Sequence, residues 1–410
     1  MTSLPASFSR RAFEHIMNVV RLGSRAAGTT GEAKAVEYVR KQFHDLGLYT
    51  EVEPFEYASF RFTDVDLQIA GRQIASTLVA FDPYGGPREF AGNATLYDPP
   101  CYPNPRQPTA IDGRIVVTTD PADYFQVALQ GPKLVVYVEP ADYALLRDSP
   151  GADFSLRVQG QLTTHSSANV IGQIAPATGA HREIILSAHL DAYPGSPGAD
   201  DNASGLGVLI ELARWFAARH DEVSCQLRFI AFGAEELAIL GSRVYVERHA
   251  QSLQHCALAL NLDQIGGNAP PFIEMLGGVK GVQSEVGQSQ FPARFRNRAL
   301  DGQGNAWRMI VTPDLLAPMA ASNRPDWLVT IIRQAVQELK VEIEPVGNTG
   351  SDQQAFTQAG VVATGIGVGG NEAHTPRDTP DQIHLPSLQI VGEIVAWVTT
   401  KTIQRVGGAR

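Results

Sequence analysis

Three short, mostly apolar runs, residues 183–188, 226–232 and 256–262, each give way within three residues to an acid or a histidine. Runs of this length with little polar alternation read as strands buried on both faces. After them the period changes. Leu206, Leu209, Ile210, Ala213 and Phe216 fall on one side of a helix predicted over residues 203–218. Further helices are predicted over 236–249 and 385–403, and a late strand over 361–367. Strands alternating with helices predict an α/β fold, a mostly parallel central sheet with helices on both faces. Such sheets carry their chemistry outside the carboxyl ends of the strands, where the polar groups of this chain fall.

Upstream, Phe13, Ile16, Val19, Val20 and Leu22 recur at near-helical spacing until Gly28-Thr29-Thr30-Gly31 interrupts them. A second helix is predicted beyond, with Thr30 as its cap, Val36, Val39, Phe43 and Leu46 facing inward, and Gly47 ending it. A β-rich stretch follows from residue 49 to about residue 73. From residue 76 to 166 the texture differs. Clusters such as Pro83-Tyr84-Gly85-Gly86-Pro87, Asp98-Pro99-Pro100 and Pro103-Asn104-Pro105 separate short runs at Ile115-Val116-Val117 and Leu134-Val135-Val136. That pattern predicts a small β-rich inserted domain over 76–166, with residues 1–75 and 167–410 forming one discontinuous domain.

At 410 residues, with 44% hydrophobic and 19% charged positions, the chain has material for one large core and a smaller domain. A formal charge of −10 argues against nucleic acid as a partner, since such proteins carry a basic face. No run of 18 apolar residues offers a membrane span. Cys101, Cys225 and Cys256 are too few and scattered for a disulfide framework or a thiolate metal site. The opening residues show no charged segment followed by an apolar one, so a cytoplasmic protein is expected. The oligomeric state is left open.

Five stretches carry the chemistry: His189-Leu190-Asp191, Gly198-Ala199-Asp200-Asp201-Asn202-Ala203-Ser204-Gly205, Ala234-Glu235-Glu236-Leu237, Asn261-Leu262-Asp263 and His374-Thr375-Pro376. Most have an ordinary reading when taken singly. A strand-end histidine can be structural, Asp200-Asp201 can cap a helix, and Glu235-Glu236 can favour a helix N-terminus. Asp263 is harder to explain so, because an acid rarely ends an apolar strand without a partner. In this order the ordinary readings would all have to hold at once. Metal ligation accounts for them jointly. Two ions close together need a carboxylate that bridges them and one or two private ligands each. Imidazole and carboxylate without cysteine favour zinc, with manganese or cobalt as substitutes. Gly365-Ile366-Gly367-Val368-Gly369-Gly370 is only superficially a nucleotide loop, since no helix follows it. The glycosylation-like triplets at Asn93 and Asn202 read as chance matches.

GADDNASG, AEEL and HTPRDT in this order resemble the M28 family of co-catalytic zinc peptidases, which includes aminopeptidases and some carboxypeptidases. The resemblance runs from Gly23-Ser24-Arg25-Ala26-Ala27-Gly28-Thr29-Thr30-Gly31 through Asn169-Val170-Ile171 to His374-Thr375-Pro376-Arg377-Asp378-Thr379. It implies a zinc-peptidase fold, a peptide substrate and two zinc ions per chain. It also implies His189 and Asp263 on one ion, Glu236 and His374 on the other, and Asp201 bridging both. Asp191 would orient His189 from behind, Glu235 would be the general base, and the Asp201–Asn202 bond would be cis. Asp352 resembles an acidic position near the second histidine. More weakly, residues 76–166 resemble a protease-associated domain, best at Ile111-Asp112-Gly113-Arg114-Ile115-Val116-Val117. Three positions depart from the family pattern. Gln353 stands where histidine is frequent, Gln264 where an apolar residue is common, and residues 345–351 lack the tyrosine some relatives use, with Asn348 or Thr349 as substitutes. The implied activity is release of N-terminal residues. A carboxypeptidase or dipeptidase, a glutaminyl cyclase and a non-catalytic binding homologue are the alternatives. Intact ligands and Glu235 count against the last.

Overall fold

The computed structural model describes residues 3–74, 76–80, 88–96, 115–118, 135–138, 153–176, 182–193, 195–237, 239–274, 325–346, 350–369, 372–374 and 376–407. The chain divides into two compact units, with boundaries at Phe55/Glu56 and His165/Ser166. Strands β1 (Tyr49–Ile69) and β7 (Asp153–Ile174) carry the chain across those boundaries.

In the first unit the strands are β8 (Glu183–His189), β9 (Gln226–Phe232), β10 (Cys256–Leu262), β11 (Phe272–Glu274), β12 (Glu344–Val346) and β13 (Ala363–Gly367), with the distal part of β7. Their order is β12-β11-β13-β10-β8-β9-β7. The central pairs β9–β8, β8–β10 and β10–β13 are parallel, while β7–β9 and β11–β13 are antiparallel. The mostly parallel α/β sheet expected from the sequence is therefore present. Every residue of β8 is buried, as a strand covered on both faces requires.

Alternation along the strands explains the layering. Ile184, Leu186 and Ala188 of β8, with Leu227, Phe229 and Ala231 of β9, join one core cluster; Ile185, Ile230 and Phe232 join another. Successive side chains point to opposite faces, so each strand feeds both clusters. The larger cluster takes in α1 (Phe8–Val20), α2 (Thr30–Asp45), α3 (Gly205–Ala217), α5 (Asp326–Leu339) and α7 (Leu385–Gly407). The smaller takes in Tyr245 of α4 (Leu240–Arg248) and Phe356 of α6 (Gln353–Gln358). Each fully buried Leu, Ile or Phe contributes about 1.5–3 kcal/mol.

Two local expectations are corrected. The cap of α2 is Thr29, not Thr30: Thr29 is extended, and its hydroxyl accepts from Glu32 N at 3.3 Å. The helix expected from residue 236 starts only at Leu240, because Ala234 (φ 53°) and Ile239 (φ 55°) are left-handed and hold Glu235–Leu237 in a turn.

In the second unit β4 (Arg88–Leu96) pairs antiparallel with β7, from Arg88 opposite Val158 to Asn93 opposite Asp153. β5 (Ile115–Thr118) runs parallel to both β4 and β6 (Val135–Val138), and β3 (Ser76–Ala80) pairs antiparallel with β6. β1 folds back on β2 (Arg72–Ile74). The turn clusters at 83–87, 98–100 and 103–105, Cys101, and the 111–114 start of the protease-associated-like fragment lie outside the described residues.

Candidate metal centre

β10, β8 and β9 are neighbours and run parallel, so their carboxyl ends arrive side by side, about 4.8 Å apart. His189 is the last residue of β8, Asp263 follows β10, and Glu235-Glu236 follow β9 by three and four residues. Asp201 comes from the turn after β8, and His374 from the loop after β13, the strand on the far side of β10.

These groups converge on Asp201. Its Oδ1 lies 3.1 Å from His189 Nε2, and its Oδ2 lies 2.9 Å from His374 Nε2. His189 Nε2 is also 3.3 Å from Asp263 Oδ1, and His374 Nε2 is 3.0 Å from Glu236 Oε2. Three donor sets result among the described residues: His189–Asp201–Asp263 and Asp201–Glu236–His374, which share the Asp201 carboxylate, and His189–Glu235–Glu236. Glu235 sits at the edge of the first, its Oε2 3.9 Å from His189 Nε2. The side chain of His189 is fully buried, whereas that of His374 is 20% exposed, so the cluster opens towards His374.

Buried hydrogen bonds hold these loops. Asp191 accepts from Glu235 N at 3.0 Å and Glu236 N at 3.1 Å, and its Oδ1 lies 3.5 Å from His189 Nδ1. Asp378 accepts from the main-chain N of Asp200 at 2.7 Å and of Asp201 at 3.0 Å. Asn202 donates to Leu262 O at 2.8 Å and accepts from Gly205 N at 2.9 Å. Gly198 has φ +65°, and a Cβ there would lie 2.5 Å from both Ala192 Cβ and Asp201 O, so only glycine fits. The Asp201–Asn202 peptide is cis, as the resemblance implied. His374 (φ 61°) and Gln264 (φ 50°) are left-handed like Ala234, a conformation that non-glycine residues keep where surrounding structure enforces it.

The electrostatics call for a cation. Burial, reinforced by Asp201, pushes Glu236 up to about 7 despite His374. Burial lifts Asp352, at the start of α6, to about 7, with Asp191 and Asp263 adding to it against His189. Burial likewise holds Glu235 well above the carboxylate range, with Asp263, Asp352 and Glu236 adding repulsion. Burial opposes the charged form of Asp201, yet the facing His374 and His189 hold that carboxyl well below its usual range. Burial also opposes charge on both imidazoles. Glu235 and Asp263 outweigh it at His189, and Glu236 and Asp201 at His374, so both are raised well above an ordinary histidine. Crowded acids that raise one another's pKa are acids short of a counter-charge. Glu236 Oε1 is in addition buried with no hydrogen-bond partner. Hard oxygen and imidazole donors without thiolate fit zinc at the two sets that share Asp201.

Residues 169–301, which hold four of the five proposed ligands and Glu235, match the family model described as Peptidase family M28. The chain is 37% identical to aminopeptidase YwaD of Bacillus subtilis over 32% of its own length and 28% of YwaD's. It is 24% identical to the probable lipoprotein aminopeptidase LpqL of Mycobacterium tuberculosis, over 94% of this chain and 82% of that one. The solved structure of BSAP, a zinc aminopeptidase from Bacillus subtilis, superposes with a TM-score of 0.65 at 21% identity, covering 98% of this chain and 96% of that one, and so shares the fold.

The structure brings together all seven residues singled out from the sequence: His189, Asp191, Asp201, Glu235, Glu236, Asp263 and His374. Sequence reasoning missed three groups that support them. Arg25 is fully buried and donates to Leu190 O at 3.1 Å, Pro197 O at 2.7 Å and Gly198 O at 2.8 Å, gripping both ends of the loop after β8. Burial lowers it to about 10 against the pull of Asp378, Asp191 and Asp201. Tyr193 stacks on His374, ring centroids 4.4 Å apart. Asp378 was quoted only as part of HTPRDT. Its place four residues beyond His374 is the one signal that tied it to the site. Gln353, noted as a departure, accepts from Asn261 Nδ2 at 3.2 Å. Asn348 and Thr349 lie outside the described residues, as does Thr375.

Proposed function

We propose that this chain is a two-zinc aminopeptidase. His189 and Asp263 would hold one ion, Glu236 and His374 the other, and Asp201 both. The observation that carries this reading is the division of Asp201, whose two carboxyl oxygens face different imidazoles at 3.1 and 2.9 Å. When bound, zinc supplies Lewis acidity, activating water and polarising the scissile carbonyl.

The chain's own groups do the rest. Glu235 takes the proton of the attacking water and delivers it to the leaving amine. Two features support that role over ligation. Glu235 stands 3.9 Å from the nearest imidazole, whereas its neighbour Glu236 stands 3.0 Å from His374. Burial raises the Glu235 carboxyl, which strengthens it as a base. Asp191 fixes the main chain of both glutamates and sits behind His189.

The charge balance supports recognition of the amino end of a peptide. The chain's formal charge of −10 attracts an ammonium group, while the carboxylates that would hold zinc are neutralised by it. The buried cation beside them, Arg25, directs its donors at main-chain carbonyls, and the nearby Arg377 pairs with Glu372 at 2.7 Å. Among the described residues no helix is long and apolar enough to cross a membrane. LpqL is named a lipoprotein, and cell fractionation would test where this chain resides.

The test combines metal analysis with a substrate pair. Zinc after dialysis should approach two per chain, and a chelator should abolish hydrolysis of aminoacyl anilides. Acetylating the substrate amine should cost about tenfold or more, the equivalent of one lost charged hydrogen bond. Full activity without metal would sink the metal reading. Equal cleavage of N-blocked peptides, lost on C-terminal amidation, would instead establish a carboxypeptidase.

A further inference from the structure

We propose that Gln264 is a positioning residue for one half of the metal centre, the half made by Asp201 Oδ2, His374 and Glu236. The proposal rests on the two-zinc reading above. Gln264 directly follows Asp263, and its main chain is pinned. Its carbonyl accepts from Val368 N and Gly369 N, both at 2.8 Å, and its φ is +50°. From that fixed point Nε2 donates to Asp201 Oδ2 at 3.0 Å. The reversed amide would set a carbonyl oxygen against a carboxylate oxygen, so the donor orientation is dictated by chemistry.

A carboxylate oxygen has two lone-pair sites. Oδ2 can therefore keep the amide bond and still offer its other lone pair to an ion. The amide then fixes the angle at which Oδ2 faces the His374–Glu236 side, while Oδ1 of the same planar group lies 3.1 Å from His189 Nε2 and Asp378 holds the Asp201 main chain. Partners that orient ligating side chains are worth about 10–100-fold in metal affinity. Because this partner's bond is to Oδ2, its loss falls most heavily on the ion that oxygen would serve. Gln264 thereby joins the Asp263 loop, on one ion, to the carboxylate oxygen serving the other.

Metal-free protein would be titrated with zinc against a chromophoric chelator, for the wild type and for Gln264→Met, which keeps length but has no donor. Thermal melting of both metal-free proteins checks the fold. The wild type should take up two zinc ions. The variant should retain the first with unchanged affinity and bind the second about 10–100-fold more weakly. With cobalt, the visible absorption at one equivalent should match the wild type, and only the band of the second equivalent should change. Two ions bound with wild-type affinities, or equal weakening of both, would overturn the role of Gln264 and leave the two-zinc reading standing. A wild type that binds fewer than two ions would remove that reading and this proposal together. Should Gln264→Met lower the metal-free melting temperature, Gln264→Asn, whose amide is one carbon too short to reach Asp201, is read in the same way.

Discussion

The two halves of the centre are built differently. His189 and Asp263 sit at the ends of paired strands, where Ser187 lies opposite Asn261 and bonds it at 2.8 Å. The ladder and the buried faces beneath it place them. Asp201, Glu236 and His374 stand on loops, and side chains from elsewhere in the sequence place those: Asp378 for Asp201, Asp191 for Glu236, and the ring of Tyr193 for His374. Position on a sheet edge is a by-product of hydrophobic burial. Position on a loop depends on individual buried bonds, and breaking one leaves a buried group unsatisfied at about 1–3 kcal/mol.

That contrast can be broken or sharpened by mutation. The largest expected effect separates neighbours within one loop. Glu235→Gln should lower kcat by about 10²–10⁴-fold while two zinc ions per chain remain by metal analysis, as for loss of a general base. Loss of zinc instead would make Glu235 a ligand. Next, Leu186→Ala in β8 should destabilise the protein by about 2–5 kcal/mol in denaturant unfolding. Zinc affinity of the folded variant should hardly change, because the ladder still delivers His189; a large drop in affinity would show that packing, and not pairing, sets the strand half. Asp191→Asn should do the reverse. One of its two carboxyl oxygens, each accepting from a main-chain N–H, becomes an NH2 facing an N–H, and zinc affinity should fall about 10–100-fold with a smaller change in stability. Unchanged affinity would place the turn under some other control.

How legible each half was in the sequence follows the same line. The spans 226–232 and 256–262 matched the observed strands, and 183–188 fell short by only His189, because an apolar run and the polar residue that stops it are neighbours in the chain. The turn at Glu235-Glu236 was read as a helix start, which is what two glutamates after a strand suggest locally. The bonds that forbid it come from Asp191, 44 and 45 residues away. Arg25, Tyr193 and Asp378 escaped notice for the same reason: a buried arginine has no sequence signature until the carbonyls it meets are known. The choice of Thr29 over Thr30 as cap lay within the usual uncertainty of helix ends. The extent of β7 was hidden because its strand character continues through the change of composition near residue 166.

Arg25 gives the amino-terminal part of the chain a significance that its distance in sequence from the motifs conceals. A deletion that trims α1 and the turn after it would look, on a linear map, like the removal of a dispensable leader before the M28 segment. It would withdraw a fully buried guanidinium from three main-chain carbonyls on the loop between His189 and Asp201. Arg25 thereby makes the order of the loop between His189 and Asp201 depend on a residue far outside the segment at 169–301.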